Sequence, residues 1–133
     1  MGMAHVKDIV FDCEHPASLA RFWAAVLDGS DVAPYDEAEL ARLRALGIES
    51  PEDDPTVLVE WPGHTPRFFF QQVPEHKAVK NRVHVDVQAD GDIDAEVARL
   101  VEFGAVVVAD QRPDSGRFVT MRDPEGNEFC VME

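Results

Sequence analysis

The stretch RVHVDVQADGD (82–92) decides the fold of this 133-residue chain. Its first seven residues alternate, so the three valines would share one face of a strand and the polar side chains the other. The next four residues, ADGD, are turn formers. Apolar residues then follow at helical spacing, namely Ile93, Val97, Leu100 and Val101. The stretch therefore predicts a strand, a turn and a helix that ends near Phe103-Gly104.

The same order of elements occurs near the start of the chain. VKDIVFDC (6–13) alternates polar and apolar residues, which predicts another strand with one apolar face. Pro16 can open a helix, and Gly29 is a plausible stop. Between them the apolar stripe consists of Leu19, Phe22, Trp23, Val26 and Leu27. Asp8 stands eight residues before Pro16 and His84 stands eight before Asp92, so the unit is duplicated in matching register.

Further strands follow each helix. In the first half we expect strands at 56–61 and 67–73, and in the second half at 105–109, 117–122 and 128–132. The turn DPEGN (123–127) joins the last two strands.

The extra material lies in the first half. It contains a predicted short helix over 36–46, within a region, 28–60, that holds ten acidic and two basic residues. This composition indicates a solvated acidic edge.

Composition and charge exclude several classes of protein. Hydrophobic residues make up 45% of the chain and charged residues 29%, which is typical of a globular domain. Twelve Lys and Arg against 26 Asp and Glu give a net charge of −14, which argues against nucleic acid and anionic membranes as partners. Two cysteines are too few for a disulfide framework, so we expect a cytoplasmic protein. No transmembrane segment or signal peptide is expected.

Three stretches give the chain a family resemblance: SLARFWAAVLDG (18–29), FFFQQVPEHKAVKNRVHVDV (68–87) and RDPEGNEFCVME (122–133). Together with the duplication, they resemble the vicinal oxygen chelate superfamily of glyoxalase I, bleomycin-resistance proteins and extradiol dioxygenases, and most of all its glyoxalase-like domains. The resemblance implies an α+β fold of two tandem βαβββ modules, here 1–78 and 79–133, within a single domain of residues 1–133. It further implies a curved mixed sheet, a cup-shaped cavity and helices on the convex face.

The resemblance also implies where a metal would be held. Metal-dependent members take one ligand from the first strand and one from the last strand of each module, typically His or Glu. The positions that match by register are Asp8, Gln71, His84 and Cys130. Only His84 is of a type the metal enzymes use there, and a neutral glutamine is a weak ligand for a catalytic metal. We therefore expect no cofactor, with a divalent metal as the open alternative.

His84 and Asp86 are the candidate catalytic residues. They share a strand face one residue apart, about 7 Å between Cβ atoms, and a carboxylate can orient an imidazole for acid–base work. Arg82 lies on the same face and could instead pair with Asp86. The competing interpretation is that His84, Asp86 and Arg82 form a hydrogen-bond network with a purely structural role.

Other residues are candidates for contact with a ligand. Cys130 is a possible nucleophile if a neighbour stabilises its thiolate, and otherwise a small apolar residue. Gln71 should face the cavity, and Trp61 could line it or a subunit contact. The complete set of candidate ligand-binding residues is Asp8, Trp61, Gln71, Arg82, His84 and Cys130.

Two functions of different classes follow. The first is a glyoxalase-like domain that binds a small organic molecule in its cavity without a catalytic metal, with two chains forming a homodimer. The second is a lyase, isomerase or dioxygenase of the same superfamily, metal-dependent or acting by acid–base chemistry through His84. A dimerising interaction module without a ligand is a third possibility.

Overall fold

The computed structural model describes residues 2–133. The chain divides into two compact units, unit 1 ending at His76 and unit 2 spanning Lys77–Glu133. Unit 1 contains β1 (Asp8–Cys13), α1 (Pro16–Val26), β2 (Asp31–Val32), α2 (Glu37–Ala45), a 3-10 turn (Pro51–Asp53), β3 (Thr56–Glu60) and β4 (Arg67–Gln72). Unit 2 contains β5 (Asp86–Gln88), α3 (Ile93–Glu102), β6 (Val106–Gln111), β7 (Phe118–Arg122) and β8 (Glu128–Met132). The α+β class and the tandem βαβββ order are confirmed.

The sheet of unit 1 has the order β1-β4-β3-β2, with β1 and β4 parallel and the other pairs antiparallel. Its core face carries aromatic rings, because Phe11 stacks on Phe70 at 5.1 Å between centroids and on Trp23 of α1 at 5.4 Å. Trp23 is 1% exposed. Four of the five residues of the stripe predicted from spacing are thus buried on α1, whereas Leu27 follows the helix and is half-buried. The opposite face of this sheet carries Asp8, Asp12, Thr56, Leu58, Glu60, Arg67, Phe69 and Gln71.

The sheet of unit 2 has the matching order β5-β8-β7-β6, with β5 and β8 parallel. Val119, Met121, Phe129 and Val131 fill its core face, each at most 2% exposed. Ile93 and Leu100 of α3 are buried. Val101, which the spacing placed on the same stripe, is 46% exposed because it lies at the edge of that stripe.

The strand predicted over 82–88 is shorter than expected. Regular pairing begins only at Asp86, and Val83 is 77% exposed rather than on an apolar face. The Asn81 N–H donates to the Glu128 carboxylate at 2.9 Å. At this position the chain is therefore bound to a side chain of β8 and not to its backbone. Before β5, the Val85 carbonyl accepts from the Cys130 N–H at 3.0 Å. His84 therefore precedes the strand.

The DPEGN turn is built around a buried carboxylate. Asp123 is 3% exposed and accepts hydrogen bonds from the backbone N–H groups of Glu125 and Asn127 and from the Asn127 side chain. Gly126 has φ of 89°, a conformation that glycine adopts without strain. The turn thus fixes the start of β8.

The acidic region holds one buried carboxylate, which the prediction of a solvated edge missed. Asp54 is 2% exposed and accepts hydrogen bonds from the Tyr35 hydroxyl at 2.7 Å and the Arg42 guanidinium at 3.0 Å. Its neighbours Glu52 and Asp53 are exposed as expected, and Glu52 pairs with Arg21 at 2.8 Å. The helix over 36–46 is present as α2, with Asp36 as its N-cap. No helix of residues 2–133 has both the length and the apolar character needed to cross a bilayer.

Candidate functional site

Three potentially reactive side chains converge in unit 2. Because Asp86 of β5 is the register partner of Cys130 of β8, their side chains lie on the same face of the sheet. His84, two residues before Asp86, reaches its carboxylate with 3.3 Å between Nδ1 and Oδ1. Ligand atoms of His84, Asp86 and Cys130 all lie within 4.8 Å of one another. We call these three residues the His84 cluster.

The cluster joins a buried thiol to accessible polar groups. Cys130 is 8% exposed, whereas the side chains of His84 and Asp86 are 44% and 51% exposed. The Thr120 hydroxyl lies 3.6 Å from the Cys130 sulfur, and either can donate. A molecule from solvent can therefore reach the imidazole and the carboxylate first, with the thiol beneath them.

Glu128, the first residue of β8, connects this strand to residues 77–81. Burial would raise the pKa of Glu128, but hydrogen bonds from the Asn81 N–H and the Lys77 ammonium bring the pKa below its ordinary value. The ammonium nitrogen lies 3.2 Å from the carboxylate. Glu128 is thus neutralised by Lys77 and holds residues 77–81 against β8.

The geometry supports two kinds of chemistry. A carboxylate this close to an imidazole nitrogen can orient the ring, which is the arrangement used for acid–base work on a bound molecule. The nitrogen, oxygen and sulfur donors also match a three-ligand zinc site with one open position. Imidazole and thiolate suit zinc better than magnesium or manganese, so the donor set fits a soft divalent ion.

In unit 1 the two predicted ligand positions are placed differently. Asp8 is bound by the Arg67 guanidinium, with contacts of 2.9 and 3.3 Å. Gln71 is the register partner of Asp12, four residues further along β1, and its side chain is exposed. Asp8 and Gln71 therefore lie at opposite ends of the β1–β4 pair rather than side by side.

The two remaining candidates lie in different environments. Arg82 is exposed, and within the described part of the chain Asp86 pairs with His84 and not with Arg82. Trp61 follows β3 and packs edge-on against Phe68 at 5.9 Å. With His64, whose ring centroid is 5.8 Å away, it lines a cavity of about 480 Å³ in unit 1.

Sequence reasoning missed a polar group in unit 1. Tyr35, Arg42 and Asp54 come from three separate segments and meet at one carboxylate. Nothing in the local spacing signals this contact; the only pointer is that Tyr35 is the single tyrosine of the chain. The three residues line a second cavity of unit 1.

Comparison with known proteins places the chain in a family. The sequence profile described as "Glyoxalase-like domain" matches residues 8–132. No curated protein matches the sequence significantly.

Solved structures share the fold. The fosfomycin resistance protein FosX from Mesorhizobium loti is 14% identical, with a TM-score of 0.66 over 98% of this chain and 92% of its own. A FosX variant from Listeria monocytogenes, complexed with Mn(II) and 1S,2S-dihydroxypropylphosphonic acid, is 9% identical, with a TM-score of 0.68 over 98% and 90%.

A third structure is a glyoxalase/bleomycin resistance protein/dioxygenase family enzyme from Burkholderia phytofirmans PsJN. It is 15% identical, with a TM-score of 0.65 over 96% of this chain and 97% of its own. At such low identities these likenesses show the fold alone, whereas the profile match extends over nearly the whole sequence. The chain belongs to the glyoxalase-like domain family.

Proposed function

We propose that this glyoxalase-like domain binds a small organic molecule at the His84 cluster, without a catalytic metal. The observation that carries the proposal is the contact of 3.3 Å between the His84 imidazole and the Asp86 carboxylate, both open to solvent beside the Cys130 thiol. His84 contacts the ligand and exchanges a proton with it, while Asp86 orients the ring. Cys130 packs against the ligand from below.

The donors of unit 1 support the metal-free form of the proposal. The Asp8 carboxylate is held by two contacts to Arg67, and a charge-assisted pair of this kind competes with metal ligation. Gln71 offers only a neutral amide and lies four residues away along the sheet. The family resemblance implies four metal ligands, and the two that unit 1 would supply, Asp8 and Gln71, are therefore poor ones.

A screen of small organic molecules by ligand-observed NMR tests the proposal. The screen uses the full chain, with His84→Ala and Asp86→Asn as test variants and His5→Ala as the matched control, because His5 is exposed and outside the cluster. We expect hits that both test variants lose, and that survive in the control and after dialysis against a chelator. Hits that persist in His84→Ala, or that vanish on chelation, would contradict the proposal.

The second candidate function is metal-dependent catalysis at the same cluster. It is favoured by the convergence of one nitrogen, one oxygen and one sulfur donor within 4.8 Å. His84, Asp86 and Cys130 would hold the ion, which when bound would polarise a substrate oxygen or activate water. Titration with Co²⁺ distinguishes the candidates, because thiolate ligation by Cys130 gives a charge-transfer absorption that Cys130→Ser removes.

We also propose that the protein is a cytoplasmic homodimer. Five exposed apolar side chains lie around the start of edge strand β6: Val101, Phe103, Val106, Val107 and Val108. Exposed apolar groups of this kind often mark a protein contact. Light scattering coupled to gel filtration should give twice the mass of the 133-residue chain, and Val107→Lys should halve that mass.

The cytoplasmic part of the proposal is supported by the cysteines. Cys13 and Cys130 are both free thiols, and a reducing compartment keeps thiols from forming disulfides.

A further inference from the structure

Unit 1 contains a cavity that the proposed function does not use. It has a volume of about 350 Å³, at the small end of the range for ligand sites. Its walls come from β3, β4, α2 and the segment before α2. We call it the Tyr35 cavity; its lining includes Tyr35, Arg42, Asp54, Leu58, Glu60 and Phe69.

The floor of the Tyr35 cavity is apolar. Leu58 of β3 and Phe69 of β4 are register partners on the face of the sheet that α1 does not cover, and both are half-buried. The Arg67 guanidinium lies 5.4 Å from the centre of the Phe69 ring. Adjacent aliphatic and aromatic surfaces favour the apolar body of a small ligand.

Three polar residues of the lining, Tyr35, Arg42 and Asp54, are held in place by hydrogen bonds within the protein. One Asp54 oxygen accepts from both Tyr35 and Arg42, and the other accepts from the Thr56 N–H at 3.0 Å. The Asp54 side chain is 1% exposed. Burial and the hydrogen bond to Asp54 raise the pKa of Tyr35, so its hydroxyl keeps its proton at neutral pH. A preformed wall lowers the entropic cost of binding.

The charge on the lining favours a cation. Both oxygens of Asp54 accept hydrogen bonds, and Glu39 pairs with Arg42 at 2.9 Å. Glu60 is half-buried, and in residues 2–133 its carboxylate makes neither an ion pair nor a hydrogen bond. Its register partner on β2 is Asp31, and like charges directly opposite each other destabilise a sheet. A cation at Glu60 would relieve that repulsion.

We propose that the Tyr35 cavity binds a small organic cation, a protonated amine with an apolar body. The ammonium group pairs with the Glu60 carboxylate, and the apolar body lies on Leu58 and Phe69. The proposal goes beyond the proposed function, because it rests only on residues of unit 1. It also specifies the charge of the ligand, a cation, which the proposed function does not.

Calorimetric titration of the full chain with benzylamine tests this proposal. We expect a dissociation constant on the order of 1 mM or tighter, as befits a ligand of this size. Benzyl alcohol keeps the ring but lacks the charge, and should bind at least about tenfold more weakly. Benzoate, of opposite charge, should give no heat of binding.

Two matched variants locate the charge. Glu60→Gln should weaken benzylamine binding about tenfold, because it removes the counter-ion and keeps the shape. Glu49→Gln removes one exposed acidic group of unit 1 outside the cavity, and should change the affinity by less than about twofold. Equal losses in both variants would show attraction by the overall negative charge and would overturn the proposal.

Amide NMR of the wild-type protein gives a result that does not depend on the variants. Benzylamine should shift the amides of Tyr35, Leu58 and Phe69, which line this cavity and not the one beside Trp61 and His64. Shifts confined to other residues, or benzyl alcohol binding as tightly as benzylamine, would overturn the proposal.

Discussion

At the scale of single residues, two carboxylates of this protein differ in what surrounds them. Asp54 is buried and accepts hydrogen bonds from the Tyr35 and Arg42 side chains and from the nearby Thr56 N–H. Asp86 is half-exposed and serves one imidazole. The first arrangement stabilises the fold, whereas the second leaves a polar pair that a molecule from solvent can reach.

Replacing Asp54 tests the first role. Asp54→Ala should lower the free energy of unfolding by about 2–3 kcal/mol, because it removes the acceptor of the half-buried Tyr35 hydroxyl and one of the two carboxylates that bind the Arg42 guanidinium. Urea denaturation measures the change. Asp53→Ala, at an exposed neighbour, should stay within about 0.5 kcal/mol. A loss of equal size in both variants would refute the assigned role of Asp54.

Alkaline titration tests the environment of Tyr35. Burial and the hydrogen bond to Asp54 raise its folded-state pKa, so the native protein holds the proton more tightly than the unfolded chain. This stabilisation is present below the unfolded pKa of about 10 and is lost as pH rises through the folded value. The single tyrosine makes the test direct, because tyrosinate absorbance should appear together with unfolding. Ionisation near pH 10 in a protein that remains folded would contradict it.

At the scale of elements, the helices were predictable, whereas the two-residue strand β2 was not expected and the strand over 82–88 is shorter than predicted. The apolar stripe of α1 follows from local spacing, because one helix face packs on one sheet. The alternation of RVHVDVQ (82–88) predicts a strand equally well, yet pairing starts at Asp86, since Glu128 binds the backbone of Asn81 instead. Long-range contacts such as Tyr35–Asp54 leave no periodic pattern, so the sequence did not indicate the Tyr35 cavity.

Replacing Asp123 tests whether its carboxylate stabilises the turn before β8. Asp123→Ala should destabilise the protein by about 1–3 kcal/mol, because the buried carboxylate satisfies two backbone N–H groups and an amide side chain. Thermal unfolding measures the change. The control is Asp114→Ala, an exposed residue in another turn, which should have little effect. An unchanged unfolding temperature for Asp123→Ala would mean that the turn does not depend on this carboxylate.

At the scale of the whole molecule, the net charge of −14 sets how the protein responds to salt. The twelve basic residues cannot neutralise 26 acidic ones, so self-repulsion acts at neutral pH. Adding about 0.5 M sodium chloride should screen it and raise the unfolding temperature by about 4 °C, equivalent to about 1 kcal/mol. Potassium chloride should act alike, because screening depends on ionic strength. A flat or falling response would refute the prediction.

The metal content of the purified protein tests the central claim most directly. X-ray fluorescence or elemental mass spectrometry on protein prepared without chelators, from cells supplied with manganese, iron, nickel and zinc, gives the equivalents bound per chain. A metal-free His84 cluster predicts far less than one equivalent, unchanged in His84→Ala. One equivalent per chain that is lost in His84→Ala would contradict the account and establish the cluster as a metal centre.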